Sequence, residues 1–333
     1  MANLKNLYSK ALKQKKLSLA DAMEILSLPD SILPELFNYT GQLRQKYFAN
    51  KIQLCSIVNA KSGKCSEDCS YCAQSAQHTT QINSYPLLTK EKLLEAYASA
   101  KNNEANCFSL VTSGKALLKD SELKVVCETL TCMSGLTRAA SLGILDKIQL
   151  LKLKQAGLDK YHHNLETSAS FFPKMCSTHT YEDRIKTIQS AKEAGLQVCS
   201  GVIFGIGETP RQRAEAALEL RQLNVDSVPI NILHPIPGTR VFGKVAPLQV
   251  VDILKIIAMF RFVLPNKTIG VIGGREVNLG DRQAEIFSAG ANGIMIGNYL
   301  TTGGNPVQTD LQMIKACGLE VKTTQCHAEP DEA

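Results

Sequence analysis

From Lys51 onward, short runs rich in β-branched and apolar residues alternate with longer amphipathic segments. That alternation marks parallel strands joined by helices. Strand candidates fall at 53–59, 107–112, 139–142, 160–165, 197–204, 227–233, 268–272 and 293–296. Helical stretches lie between them, among them 90–101, 147–154, 183–193, 211–223, 250–263 and 282–288. Three of these end in Ala-Gly directly before a strand, at Gly157, Gly195 and Gly290. A glycine there supplies the left-handed stop of an αβ loop. Eight strands, each followed by a helix, predict an α/β chain folded as a (β/α)8 TIM-type barrel. The alternative architecture is a doubly wound open sheet. Before Lys51 there is no strand pattern. Residues 1–50 read as two helices, with Ser18 capping the segment 19–28 and Pro29 and Pro34 punctuating the stretch beyond it. The expected division is a helical extension over 1–50, a barrel over 51–320 and a flexible tail over 321–333.

Composition changes this picture little. A chain of 333 residues, 44% hydrophobic and 20% charged, has the makeup of a soluble globular protein able to bury a large core. Its net charge of +6 is spread out, and the densest group, Lys13 to Lys16, has little aromatic company. A solvated helix face explains it, so no nucleic-acid partner is expected. The lysine-rich N-terminus has no apolar core of a signal peptide. The longest uncharged stretch, 286–309, is broken by glycine, asparagine and threonine and does not read as a membrane span. A cytoplasmic protein is expected. In that compartment, eleven cysteines point to metal-bound or buried thiols rather than disulfides.

Three of the cysteines carry the strongest signal, Cys65-Ser-Glu-Asp-Cys69-Ser-Tyr71-Cys72, spaced C-x3-C-x2-C after the first strand. Three thiolates so close together can hold three irons of a cubic [4Fe–4S] cluster, whose fourth iron would then lack a protein ligand. A zinc site would want four ligands in paired C-x2-C units, and no second pair exists. The spacing, with an aromatic residue before the last cysteine, resembles the radical S-adenosylmethionine (SAM) superfamily. In that family the open iron is chelated by the amino and carboxylate groups of SAM.

Further segments resemble the biotin synthase family in order and spacing from about residue 40 to 318. They are Lys61-Ser-Gly-Lys-Cys65 with Cys72-Ala-Gln-Ser75, Tyr161-His-His-Asn-Leu-Glu-Thr-Ser168, Val198-Cys-Ser-Gly201, Gly205-Ile-Gly-Glu208, Val228-Pro-Ile-Asn231 and Pro237-Gly-Thr239. The resemblance implies that dethiobiotin is converted to biotin by radical sulfur insertion, without a general acid or base. It also implies a homodimer and an electron donor of flavodoxin or ferredoxin type. For SAM it implies Tyr71, the backbone at Ser113-Gly114, Asn164, Glu166 and an Arg184 fork onto the carboxylate. Glu166 is longer than the aspartate frequent there, and His162 stands where relatives carry asparagine. Asn231 has an amide complementary to the ureido ring of dethiobiotin. Without the resemblance, Asn164, Glu166 and Asn231 read equally well as strand residues satisfying neighbouring backbone, and Arg184 as a surface helix residue.

The family also implies an auxiliary iron–sulfur cluster, a [2Fe–2S] site in its usual form, held inside the barrel by three cysteines and an arginine. Cys107 and Cys199 match, but the third cysteine falls on Ala139 and the arginine on Gly270. Candidate replacements are Cys55, sharing a strand face with Ile57 and Asn59, and Cys176 in the loop after the fourth strand. The alternative for both is a buried inert thiol. Cys127, Cys132, Cys317 and Cys326 read as structural or inert. Three other functions stay open at this point. They are a related radical SAM enzyme of the hydrogenase maturase or methylornithine synthase kind, an iron–sulfur electron carrier, and an RNA-binding protein with a zinc knuckle.

Overall fold

The computed structural model describes residues 4–117 and 119–323. In chain order its strands are β1 (Lys51–Lys61), β2 (Cys107–Thr112), β3 (Thr137–Ser141), β4 (Lys160–His162), β5 (Gln197–Cys199), β6 (Val202–Phe204), β7 (Ser227–Ile232), β8 (Thr268–Val271), β9 (Gly293–Met295) and β10 (Glu320–Val321). All pair in parallel with their neighbours, and β1 also pairs with β9, Gln53 opposite Gly293. That last pairing closes the ring and excludes the open sheet. β5 and β6 share one barrel position, since both pair with β7. The chain breaks between them at Ser200 and Gly201, where a Cβ on Gly201 would stand 1.8 Å from the Pro229 carbonyl oxygen. Counting them together, the barrel has the eight strands expected, and β10 adds outside β1, with Glu320 opposite Lys51.

Local chemistry explains most element ends. Gly157, Gly195 and Gly290 have φ of +100°, +75° and +111°, the left-handed stops expected from the Ala-Gly pairs. β4 stops at His162, short of the expected end at 165, and Glu166 beyond it takes φ +70° and meets Val202 in an isolated bridge. The segment 282–288 is not one helix but a 3-10 turn, Gly280–Arg282, and a short helix, Glu285–Ser288.

Residues 4–48 form three α-helices rather than two: Leu4–Leu12, Leu19–Leu26 and Leu33–Phe48. Pro34 starts the third instead of merely ending the second. Ser18 and Asp21 cap the second reciprocally, as a capping box. These helices explain the helix Val250–Val263, which is apolar nearly all round and buried from Ile253 to Val263. A helix of that kind needs cover on two sides. The barrel supplies one and the N-terminal helices the other, with Lys255 reaching Asp30 at 2.7 Å. Among the described residues, no helix is long and apolar enough to cross a membrane. The expected tail lies, from residue 324 onward, outside the described residues, and so does Cys326.

The last helix, Val307–Ala316, is fastened to the barrel mouth by a buried ion pair. Arg275 follows β8, is fully buried, and gives Asp310 two hydrogen bonds of 2.9 Å. Removing Asp310 would leave the buried guanidinium with only the Glu276 carboxylate, at 3.1 Å, as an ionic partner in a low-dielectric interior. Asp310→Ala is therefore expected to lower unfolding stability by about 3–5 kcal/mol. Denaturant unfolding measures it, and an unshifted midpoint would show that the pair is not holding the helix.

Candidate active site

The C-terminal ends of the strands open on a cavity of about 460 Å³. It is lined by the candidate residues of all three kinds: Cys65, Cys69 and Cys72; Tyr71, Ser113, Asn164, Glu166, Arg184 and Asn231; and Cys55, Cys107 and Cys199. All ten described cysteines are free thiols.

The upper cysteines sit in a loop whose shape is fixed by its backbone. Cys65 donates its N–H to the Gln74 carbonyl at 3.0 Å and accepts from Ala76 at 2.8 Å. Ser70 N–H reaches the Met175 carbonyl at 2.9 Å, tying the loop to the segment after β4. Asp68 strengthens that tie. Its carboxylate accepts from the Ser177 N–H at 2.8 Å and the Ser177 hydroxyl at 2.7 Å, and pairs with Arg240 at 3.2 Å. Burial opposes its charge, but these hydrogen bonds hold it well below the usual carboxylate range. Burial pushes the Cys65 thiol up and the Cys72 thiol up to about 11. Such thiols give up their protons when a metal takes their place. Three sulfurs from one loop, facing an open cavity, fit a cubane with one iron left for another ligand.

Cys176 lies at this level, not with Cys55. Its sulfur, that of Cys69 and the His179 ring fall within 4.8 Å of one another. Hydrogen bonding from Cys69 draws the Cys176 thiol down to about 4. His179 Nδ1 is in turn 2.6 Å from the Glu67 carboxylate.

Beside the loop, Arg184 is buried rather than on the surface. It donates to the Asn164 carbonyl at 2.9 Å and lies 3.5 Å from Glu166. Burial disfavours its charge, but Glu166 and the neighbouring tyrosine and thiol groups together outweigh that and raise its pKa. Its Nε has no partner, a buried donor suited to a carboxylate. Glu166 is held in its unusual φ by the Gly201 carbonyl, 3.1 Å from its N–H, and by the Ile203 N–H, 2.7 Å from its carbonyl. The asparagines do satisfy backbone. Asn164 Oδ1 accepts from Gly201 N–H at 3.0 Å, and Asn231 bridges the Val202 carbonyl and the Gly273 N–H, both at 3.0 Å. Asn231 keeps one N–H and one lone pair for a ligand, and Asn164 keeps both N–H groups and one lone pair. The Ser113 hydroxyl is spent on the Gly63 carbonyl at 2.7 Å, so its backbone and that of Gly114 are what it offers.

Deeper in the barrel, Cys55 is directly opposite Cys107, and His162 is directly opposite Cys199. The hydrogen bond between the Cys55 and Cys107 thiols, with burial, pushes Cys55 up, and the same bond, helped by His162 and Lys160, holds Cys107 well below the ordinary thiol range against burial. Burial raises Cys199, but the charge and hydrogen bond of His162 outweigh it and lower its pKa. Buried thiolates among cationic groups are a donor set that suits a metal cluster. Ala139 and Gly270 bring no donor atoms. Sequence reasoning missed His162 and Lys160 here, although both share the inward face of β4 with Asn164 by simple alternation. It also missed Asp68 and His179, whose partners lie more than a hundred residues away and leave no local signal.

Comparison with known proteins agrees with this geometry. Residues 60–220 match the radical SAM superfamily model, and residues 229–320 match the biotin and thiamin synthesis associated domain. The barrel superposes on methylornithine synthase with a TM-score of 0.81, at 20% identity over 95% of this chain and 97% of that one. It superposes equally on HydG, a maturase of the [FeFe]-hydrogenase, with a TM-score of 0.81 at 15% identity over 96% of this chain and 76% of that one. At such identities the likeness concerns the fold alone. Fold, cysteine loop and cavity together define a radical SAM enzyme. Biotin synthases from Geotalea uraniireducens and Citrifermentans bemidjiense are 46% and 47% identical over 90% and 92% of this chain, covering 92% and 93% of their own lengths. The chain belongs to the biotin synthase family.

Because Asp68 docks the cysteine loop onto the segment after β4, Asp68→Ala is expected to loosen the cubane without removing a ligand. Iron chelation of the reconstituted protein should then run severalfold faster than in wild type. An unchanged chelation rate would mean the loop holds its shape without this carboxylate.

Proposed function

We propose that this chain inserts sulfur into dethiobiotin to give biotin, with SAM in the upper cavity and dethiobiotin between SAM and the lower cysteines. One observation carries the reading: the loop cysteines, a buried arginine with an unused donor, and a second set of thiols all face one barrel cavity. When bound, the cubane supplies the electron that cleaves SAM to methionine and a deoxyadenosyl radical, and the lower cluster supplies the sulfur.

The protein's own part is binding, aim and shelter. Cys65, Cys69 and Cys72 hold the cubane, and Tyr71 flanks it. Arg184 takes the SAM carboxylate, and the backbone at Ser113 and Gly114 faces its amino group. Asn164 and Glu166, two apart along the chain, face the ribose. The free N–H and lone pair of Asn231 match the donor and acceptor of a cyclic urea. Cys107 and Cys199, joined by Cys55, hold the sulfur-supplying cluster. No group here has to move a proton in the reaction, so positioning and exclusion of water and oxygen are the catalytic contribution. An electron donor of flavodoxin or ferredoxin type and a homodimer belong to the same proposal, as does a cytoplasmic location.

Anaerobic incubation of the reconstituted protein with SAM, a strong reductant and dethiobiotin tests it by mass spectrometry. Biotin and 5′-deoxyadenosine are the expected products. SAM cleavage without biotin would point to another radical SAM reaction, and intact SAM to an electron carrier. Arg184→Ala removes charge-assisted hydrogen bonds worth roughly 1.5–3 kcal/mol. SAM affinity, read by calorimetry, should fall by about 10- to 150-fold. Wild-type affinity in that variant would remove Arg184 from the SAM site.

A further inference from the structure

We infer that the lower cluster is ligated by four strand residues, Cys55, Cys107, Cys199 and His162, with the imidazole as its fourth donor. This rests on the proposal that a second iron–sulfur cluster occupies the lower barrel, and it concerns which side chains hold it.

Two expected donors are missing. Ala139 on β3 and Gly270 on β8 offer no donor atom where the family has a cysteine and an arginine. The barrel register supplies two others. Cys55 on β1 stands opposite Cys107 on β2, and His162 on β4 stands opposite Cys199 on β5. The donors thus form two adjacent-strand pairs flanking the donorless β3, and all four face the one cavity. They are also in contact: Cys55 with Cys107, and His162 with both Cys107 and Cys199.

Histidine is a competent iron–sulfur ligand, as sites with imidazole in place of thiolate show. Its ring is also oriented as such ligands are. The Ser109 hydroxyl lies 3.2 Å from Nδ1, and a hydrogen placed there leaves the Nε2 lone pair free. The positive charge that the absent arginine would bring has a substitute nearby. Lys160, buried on the same strand face, lies among Cys55, Cys107 and Cys199, with Nζ 3.4 Å from the Ser227 hydroxyl. An imidazole merely hydrogen-bonded to ligand sulfurs would show the same contacts without touching iron, and a spectroscopic test separates the two.

The full-length protein, labelled with 15N-histidine and reconstituted anaerobically without SAM, is reduced and examined by pulsed electron paramagnetic resonance. Iron and sulfide are counted in wild type, His162→Ala and His162→Cys. Expected are a strong hyperfine coupling from directly bound nitrogen in wild type, its loss in both variants, and iron and sulfide falling to one cubane in His162→Ala. His162→Cys should regain the second cluster without the nitrogen signal. Only weak, remote nitrogen coupling in wild type, or a full second cluster in His162→Ala, would overturn the inference. To guard against misfolding, the Cys65→Ala/Cys69→Ala/Cys72→Ala chain, which retains only the lower site, is measured as well. It should show the same strong coupling, and a lower cluster there without it would also overturn the inference. SAM cleavage by wild type, assayed separately, tells failure of this ligand set from failure of the enzyme assignment.

Discussion

A cubane has four irons, and the loop after β1 presents three sulfurs to it. Everything else in the upper barrel follows from that shortfall. The open corner must face a cavity, so the loop has to sit at the barrel mouth and be held there by contacts that spend none of its thiols. Backbone hydrogen bonds to Gln74, Ala76 and Met175 and the Asp68 carboxylate do this. The cavity must also bring an anion-binding group within reach, which is why Arg184 is buried against the Asn164 carbonyl and Glu166. A buried guanidinium is costly unless its charge is answered. Glu166 answers part of it, and the unused Nε leaves room for a carboxylate.

Barrel closure sets the second constraint. Side chains on neighbouring strands at the same register meet, so residues distant in sequence become partners at fixed depths. Cys65, Cys69 and Cys72 follow the end of β1, whereas Cys55, Cys107, Cys199 and His162 lie lower, within or at the limits of their strands. Two sulfur-rich levels with a space between them is the geometry that passing sulfur to a bound molecule requires. The N-terminal helices and the last helix serve this indirectly, by burying Val250–Val263 and locking the mouth through Arg275 and Asp310.

Much of this is legible in the sequence because it is local. The Ala-Gly stops, the Ser18 cap, the eight strand runs and the cysteine spacing each depend on a few neighbouring residues. The features that stay hidden depend on tertiary contact. Nothing near Asp68 announces Ser177, and nothing near Cys176 shows that it meets Cys69 rather than Cys55. The third N-terminal helix escapes notice because Pro34 reads as punctuation, whereas the fold uses it as a first-turn residue. The left-handed Glu166 is held by Gly201 and Ile203 across the barrel, contacts that no local propensity signals.

The open corner of the upper cluster can be examined directly. Cys176 and His179, which crowd Cys69, are the side chains that would fill it if SAM did not. The reduced cubane, mixed with SAM carrying 15N in its amino group, should show hyperfine coupling to that nitrogen. A cluster whose spectrum ignores added SAM in the wild type, and responds only once Cys176 or His179 is replaced, would contradict the vacancy on which the reaction depends.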